Sequence, residues 1–198
     1  GYYFDDSGEP KYAVSTFDLY KNGESVENAG KRVELPGMIS SEAAGKFFAS
    51  PVKLTVLRDK SDTWSHGVRG YGEAEGSFKQ VSSTIYEGPI ASYLLLRQEF
   101  YHSSADIQFV VYRDFPFVDM DIKVNWTEKQ SILKMEIAPE SGIGNLFVQC
   151  AGDYVEKKTV EAEEPLHGWL LAGKLGIVQN GAYAYDRVGE KLRFTLVR

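Results

Sequence analysis

The clearest structural signal in the chain lies in residues 117–126, FVDMDIKVNW, where apolar and polar side chains alternate without a break. One set of alternate positions is apolar: Val118, Met120, Ile122, Val124 and Trp126. The positions between them are polar: Asp119, Asp121, Lys123 and Asn125. This alternation is typical of a strand in an antiparallel sheet that has one buried and one solvated face. We therefore predict a strand here, with Trp126 in the core at its end.

The same period of two recurs elsewhere in the chain. Segments 51–58 and 191–197 alternate in the same way. Segments 90–96 and 107–112 instead have apolar residues on both strand faces, which predicts strands covered on both sides. Asn180-Gly181 is the strongest hairpin signal. The only helix candidate, 41–49, is weakened by Gly45. We predict an all-β protein with little helix, a large antiparallel β-sandwich of ten or more strands.

Composition limits the class of protein. Hydrophobic residues make up 43% and charged residues 25% of the 198 residues, which excludes a disordered chain. The net charge of -6 argues against a nucleic-acid partner, because such partners bind basic surfaces. No apolar run approaches the roughly 18 residues of a membrane span. A single cysteine, Cys150, excludes an intrachain disulfide framework and a Cys-rich zinc module.

The two ends of the chain differ in character. Residues 1–50 are more polar and more often interrupted by glycine than the rest. We predict that they form an N-terminal β segment or edge subdomain, and that residues 51–198 form the main sandwich. Because the first residue is Gly1 rather than methionine, we expect the chain to begin inside a longer protein.

Metal and acid–base sites are weakly supported by the sequence. The three histidines, His66, His102 and His167, are too far apart for a local metal motif, so isolated histidines are favoured over a zinc site. A glycosidase needs two carboxylates on either side of a sugar. Asp119 and Asp121, however, are explained by a solvated strand face.

A second acidic group consists of Glu161, Glu163 and Glu164. Their close spacing in a polar segment predicts an exposed acidic loop. We therefore assign no catalytic residue and no metal ligand in this chain.

Two loops contain residues suited to sugar binding. In segment 59–67 (DKSDTWSHG), an aspartate can accept hydrogen bonds from sugar hydroxyls and a tryptophan can stack on a sugar ring. The alternative is an Asp-capped turn with the tryptophan packed in the core. In segment 180–186 (NGAYAYD), two tyrosines on one strand face could bind substrate or only stabilise a hairpin. The candidate substrate-binding residues are Asp62, Trp64, His66, Asn180, Tyr183, Tyr185 and Asp186.

Four segments, in this order, resemble the C-terminal β-region of glycoside hydrolase family 38, the α-mannosidases. They are 59–67, 117–133 with Lys134 after it, 164–169 (EPLHGW) and 180–198 (NGAYAYDRVGEKLRFTLVR). The resemblance covers residues 52–198. Ala182 and Ala184 depart from the lysine and glycine that the family tends to have, and the stretch after Trp169 lacks an aspartate. These departures weigh against direct substrate contact by residues 180–186.

The resemblance implies a supersandwich similar to the galactose-mutarotase-like fold. It also implies a longer enzyme, a retaining and zinc-dependent exo-α-mannosidase, whose nucleophile, acid/base carboxylate and zinc ligands belong to a separate N-terminal catalytic domain. This chain would hold no cofactor. It would brace the catalytic domain, border the pocket for the α-mannoside and help to assemble a homo-oligomer, with the cytoplasm favoured as the compartment.

Two other functions remain open at this stage. The chain could be an autonomous carbohydrate-binding module that uses Trp64, Tyr183 and Tyr185. It could also be a mutarotase-like sugar enzyme, which would need convergent histidine and carboxylate groups.

Overall fold

A computed structural model describes residues 52–61, 70–112, 118–139, 142–158, 160 and 162–198, together with four two-residue strands within residues 3–25. All regular secondary structure in this part of the chain is β-strand, so the predicted all-β fold is confirmed. Nothing described here forms a helix with the length and hydropathy needed to cross a membrane. The helix candidate 41–49 and nearly all of residues 1–50 lie outside the described residues, so the predictions for them stay predictions.

The strands, in chain order, are β1 (Tyr3–Phe4), β2 (Pro10–Lys11), β3 (Tyr20–Lys21), β4 (Glu24–Ser25), β5 (Lys53–Arg58), β6 (Ala74–Ser77), β7 (Lys79–Glu87), β8 (Ala91–Phe100), β9 (Ser103–Tyr112), β10 (Val118–Asn125), β11 (Ser131–Ile137), β12 (Leu146–Cys150), β13 (Asp153–Lys157), β14 (Glu164–Pro165), β15 (Trp169–Ala172), β16 (Leu175–Val178), β17 (Ala184–Val188) and β18 (Lys191–Val197).

The chain divides into two compact units. Unit 1 comprises Gly1–Phe47 and Phe78–Trp126, and unit 2 comprises Phe48–Ser77 and Thr127–Arg198. Unit 1 contains a four-stranded sheet in the order β10-β9-β8-β7 and the two short pairs β1-β2 and β3-β4. Unit 2 contains a six-stranded sheet, β14-β17-β18-β11-β5-β6, and a four-stranded sheet, β13-β12-β15-β16. All of these strand pairs are antiparallel.

The sheet of unit 1 has one buried and one open face. β10 shows the predicted alternation of half-buried apolar and exposed polar side chains over its whole length. Trp126 comes after the strand and is only half-buried, so its predicted core position is wrong. The prediction that 90–96 is covered on both faces is wrong, because Leu94 is buried but Tyr93, on the other face, is exposed. In 107–112, Phe109 on one face and Val110 on the other are both buried, as predicted.

The six-stranded sheet of unit 2 is buried on both faces at its centre. The prediction that β5 alternates is wrong, because Thr55 and Leu57 are buried as fully as Leu54 and Val56. β5 lies between β11 and β6, and strands inside a covered sheet do not need a polar face. β18 has the predicted bounds, 191–197, and Phe194 on it is completely buried.

Asn180-Gly181 does not form the predicted hairpin. β16 pairs with β15 in one sheet, whereas β17 pairs with β14 and β18 in the other, so this segment joins two sheets. The type I′ turn favoured for such a pair needs positive φ at both residues, and neither Asn180 nor Gly181 has it. Instead, the Gln179 side chain accepts the backbone N–H groups of Gly181 (2.8 Å) and Ala182 (2.6 Å).

Candidate functional site

A lysine side chain lies fully buried in the six-stranded sheet of unit 2. Lys134 is on β11, and its Nζ atom is 3.0 Å from Glu163 Oε1 and 3.4 Å from Asp186 Oδ2. Nζ also donates a 2.7 Å hydrogen bond to Thr195 Oγ1 and lies 5.2 Å from the centre of the Tyr71 ring. Removing an ammonium group from water costs several kcal/mol, so it needs partners of this kind to stay charged.

A second cation, Arg193, balances the charge of the second carboxylate, Asp186. Arg193 and Asp186 are register partners on β18 and β17. The guanidinium donates to both carboxylate oxygens, with distances of 2.6 and 2.7 Å, which is the bidentate geometry that makes such pairs strong. The Thr195 hydroxyl donates to Glu163 Oε1. We call Lys134, Glu163, Asp186, Arg193 and Thr195 the Lys134 network; it holds two positive and two negative charges.

A separate ion pair joins the end of β5 to the last residue of the chain. Arg198 Nε lies 2.5 Å from Asp59 Oδ2, and Asp59 Oδ1 accepts the backbone N–H of Ser61 at 2.9 Å. Burial alone would raise the pKa of Asp59, but the hydrogen bonds from Arg198 and Ser61 outweigh it and lower the pKa. Asp59 is therefore held as a carboxylate.

Tyr71 links this pair to the Lys134 network. Burial first, and then the negative charge of Glu163, raises the pKa of the Tyr71 hydroxyl, and the charges of Asp59 and Arg198 also act on it. A hydrogen bond to Glu163 also raises the pKa of Tyr71, although the buried Tyr71 hydroxyl and Glu163 Oε2 do not meet strict hydrogen-bond geometry. Charges of both ion clusters therefore act on the same phenol.

A third group of side chains joins β13, β14 and β17. The Tyr185 ring is completely buried, and its hydroxyl donates a 3.2 Å hydrogen bond to Glu164 Oε2. The same carboxylate oxygen is 2.8 Å from Lys157 Nζ. Burial first, and then the charge of Glu164, raises the pKa of Tyr185. The neutral phenol is therefore the stable form of Tyr185.

The structure does not bring the predicted binding residues into one exposed cluster. Asp62, Trp64 and His66 lie outside the described residues. The other four divide by exposure. Asn180 and Tyr183 are exposed, whereas Tyr185 and Asp186 are buried.

The buried pair cannot contact a sugar in this conformation. The two tyrosines also do not form the predicted pair on one strand face, because β17 begins after Tyr183.

The prediction of an exposed acidic loop at residues 161–164 is wrong for the residues described. Glu163 is almost fully buried against Lys134, and Glu164 is about three-quarters buried against Lys157. Lys134 lies 29 positions from Glu163 in sequence, so local polarity gave no sign of its burial. Asp119 and Asp121, in contrast, are exposed as predicted for a solvated strand face. His102 and His167 are both exposed.

The sequence reasoning did not assign a role to Lys134, Arg193 or Arg198. One signal was present, since Lys134 interrupts the otherwise apolar run 132–135 (ILKM). A charged residue in a buried strand needs a partner, so this position predicts an internal ion pair. Nothing in the sequence identified that partner.

These groups are arranged to hold strands together. Their carboxylates are paired with cations or hydroxyls and are mostly shielded from water. Within the described residues, no group of three or more His, Cys, Asp or Glu side chains is arranged to hold a metal ion. The four segments that resemble family 38 supply most of the ionic partners: Asp59, Lys134, Glu164, Asp186, Arg193 and Arg198.

Comparison with known proteins identifies the family. No curated protein matches the chain significantly. Residues 9–198 match the family described as the glycosyl hydrolases family 38 C-terminal domain. The match extends the resemblance to most of residues 1–50 and covers nearly the whole chain. The chain therefore belongs to glycoside hydrolase family 38, as a C-terminal domain of that family.

Proposed function

We propose that this chain is the non-catalytic β-region of a glycosidase that hydrolyses terminal α-mannosides. In this proposal it supports the catalytic domain of the same protein and borders its substrate pocket. The observation that carries the proposal is that residues of the family-like segments are used here in a buried, charge-balanced network. In this proposal the network keeps β11, β17 and β18 in register, because a buried charge that loses its partner is costly.

Catalysis by the acidic residues of the network is disfavoured by their surroundings. A glycosidase uses one carboxylic acid to protonate the leaving oxygen and one carboxylate as nucleophile or base, and both must reach the sugar. Glu163 and Asp186 are almost fully buried, and Lys134 lies within 3.4 Å of both. They are enclosed by protein, and their negative charges are already neutralised.

The same site does not fit a zinc ion. Zinc would take carboxylate oxygens or imidazole nitrogens at about 2.0–2.2 Å. The Lys134 ammonium occupies the position between Glu163 and Asp186 that a cation would need, and it is itself a cation. We therefore derive no step through zinc in this chain, and in our proposal zinc acts in the catalytic domain.

We also propose that Asp62, Trp64 and His66 are the residues that border the pocket. They belong to segment 59–67, which resembles the family, and they connect β5 to β6. The described residues on either side are held firmly. Asp59 is fixed by Arg198, and the Gly72 N–H donates to the Arg58 carbonyl oxygen at 3.1 Å.

The test compares the chain with the longer polypeptide that contains a catalytic domain. Both are assayed, with added zinc, on the 4-nitrophenyl α- and β-mannosides and on the α-glucoside. We expect the longer polypeptide to hydrolyse the α-mannoside selectively and residues 1–198 alone to hydrolyse none. Turnover by residues 1–198, lost in Asp186→Asn without loss of fold, would refute the non-catalytic role. A different preferred glycoside would refute the substrate class alone.

A further inference from the structure

The open face of the unit 1 sheet carries a row of tyrosines. Tyr86 on β7 lies opposite Tyr93 on β8, and Tyr93 lies opposite Val110 on β9. Val110 lies in turn opposite Asp119 on β10, so the row crosses all four strands, with the exposed rings on β7 and β8 and a buried valine on β9. Tyr112 belongs to the same face, next to Asp119. We call Tyr86, Tyr93, Tyr112 and Asp119 the tyrosine face.

The exposure of these side chains is unusual for their size. The opposite side of the same strands is a core face, with Leu94 and Phe109 buried. Tyr86 is 57% exposed and Tyr93 is 38% exposed, although they are direct cross-strand neighbours. A single exposed tyrosine is ordinary on a protein surface, but adjacent exposed aromatic rings on a rigid sheet are typical of binding surfaces.

Hydrogen-bonding groups surround the rings. The Tyr112 hydroxyl donates a 2.8 Å hydrogen bond to Asp119 Oδ2, which orients that carboxylate. In the described part of the chain, Asp119 makes no ion pair, whereas Asp106 on the same face is occupied by Arg97 at 2.8 Å. The next row across the sheet adds the amide of Gln108 and the carboxylate of Asp121. This end of the face therefore offers mostly hydrogen-bond acceptors.

The chemistry of the face selects among ligands. Asp119 disfavours phosphates and other anions, because its carboxylate is exposed, whereas Asp121 on the same face is paired with Lys123 at 3.7 Å. The carboxylates also interrupt the apolar surface that a protein partner would need for the core of its interface. A neutral sugar fits both features, since its C–H faces pack on aromatic rings and its hydroxyl groups donate to carboxylate and amide oxygens.

We propose that the tyrosine face, built from strands of unit 1 alone, binds a neutral oligosaccharide. Tyr86 and Tyr93 stack against the sugar rings, and Asp119 and Gln108 accept hydrogen bonds from their hydroxyls. The row from β7 to β10 spans three strand spacings, roughly 14 Å, which is long enough for more than one ring. A site of this kind would hold a polymeric or branched glycan while its ends are hydrolysed elsewhere.

The experiment screens residues 1–198 on an array of neutral oligosaccharides built from mannose, glucose or galactose. The best ligand, together with α-linked mannotriose, is then titrated by NMR. We expect a Kd that rises at least about tenfold in Tyr86→Ala and in Tyr93→Ala, with unchanged urea midpoints. A tenfold rise corresponds to about 1.4 kcal/mol, the scale expected for losing one stacked ring.

Two control variants locate the site. Tyr101→Ala removes a more exposed tyrosine from the turn between β8 and β9, and Tyr183→Ala removes the exposed tyrosine of the site predicted from the sequence. Neither change should alter the Kd. Absence of binding to every sugar at millimolar concentration would overturn the proposal, as would binding lost only in Tyr183→Ala. Dimerisation that Tyr86→Ala abolishes would show instead that the face binds a second copy of the chain.

Discussion

The two units each contain a cross-strand pair of arginine and aspartate with similar hydrogen-bond distances, although Arg193 donates through Nε and Nη2 and Arg97 through Nη1 alone. In unit 2, Arg193 binds Asp186 at 2.6 and 2.7 Å, and in unit 1, Arg97 binds Asp106 at 2.9 and 2.8 Å. Burial differs strongly. The side chains of the first pair are 17% and 7% exposed, and those of the second are 39% and 58% exposed. We therefore expect burial, rather than hydrogen-bond distance, to decide how much each pair contributes to stability.

The lysines show the same contrast. Lys134 is enclosed by Glu163 and Asp186, whereas Lys123 lies on the open face of unit 1, 3.7 Å from Asp121. In water, an ion pair contributes little because both charges are well solvated and screened. In a covered sheet, each charge depends on its partner, because water no longer compensates it. The predictions below use the exposed members of unit 1 as controls for the buried members of unit 2.

The largest effect is expected for Lys134→Met. This change leaves Glu163 without its cation and Asp186 with only one, and breaking a buried ion pair in this way costs about 3–5 kcal/mol. The matched control, Lys123→Met, should change the free energy of unfolding by less than about 0.5 kcal/mol. Urea unfolding followed by tryptophan fluorescence measures both. Equal effects would mean that the Lys134 network does not stabilise unit 2.

A smaller but still large effect is expected for Arg193→Leu. Asp186 then loses two charge-assisted hydrogen bonds but keeps Lys134, so we expect a loss of about 2–3 kcal/mol. The control Arg97→Leu breaks the exposed pair with Asp106 and should cost about 0.2–1 kcal/mol. The same urea experiment ranks the two variants. A larger loss in Arg97→Leu would reverse the conclusion drawn from their burial.

The Asp59–Arg198 pair predicts a pH dependence. The folded-state pKa of Asp59 is lowered, so its carboxylate contributes stability above the unfolded pKa of about 3.9, and that contribution is lost as pH falls through the folded pKa. Asp59→Asn should therefore cost about 1–2 kcal/mol at pH 7, and progressively less below about pH 4. In an Arg198→Ala background the pH-dependent part should largely disappear. A difference in unfolding free energy between wild type and Asp59→Asn that stays constant down to pH 2 would contradict this assignment.

The smallest effects are expected for two tyrosines that lose only a hydroxyl. Tyr185→Phe removes the hydrogen bond to Glu164 and should cost about 1 kcal/mol. Tyr71→Phe removes a buried hydroxyl that lies near Glu163 without meeting strict hydrogen-bond geometry, so it should cost less than Tyr185→Phe at pH 7. Thermal melts at one protein concentration resolve this difference in size. A loss of 1 kcal/mol or more in Tyr71→Phe would show that its hydroxyl is satisfied in solution.

The strands were predictable wherever side-chain periodicity reports burial on one face. β10 is the best example, because it differs from the predicted segment by one residue at each end. The prediction fails where both faces of a strand are covered, as in β5, since burial then depends on the neighbouring strands. It also fails at Asn180-Gly181, where the Gln179 side chain and the pairing of β17 override the local turn preference.

The candidate site was less predictable than the fold. Lys134 could be marked as an unusual residue in a core strand, but Glu163 lies 29 positions further along the chain and Asp186 lies 52 positions further. An ion pair of this kind exists only after distant strands have been brought together, so local spacing cannot show it. The resemblance to family 38 indicated the segments involved. It did not indicate that Tyr185 and Asp186, predicted as substrate-binding residues, are buried.

A double-mutant cycle between Lys134→Met and Glu163→Gln tests most directly whether the buried network is a structural brace. Unfolding free energies of the wild type, both single variants and the double variant are measured in urea at pH 7. We predict a coupling energy of about 1–3 kcal/mol, the range found for residues in one ion-pair network. The same cycle on Lys123 and Asp121 should give less than about 0.5 kcal/mol. A coupling energy between Lys134 and Glu163 that is no larger than that between Lys123 and Asp121 would contradict the role of the Lys134 network as a structural brace.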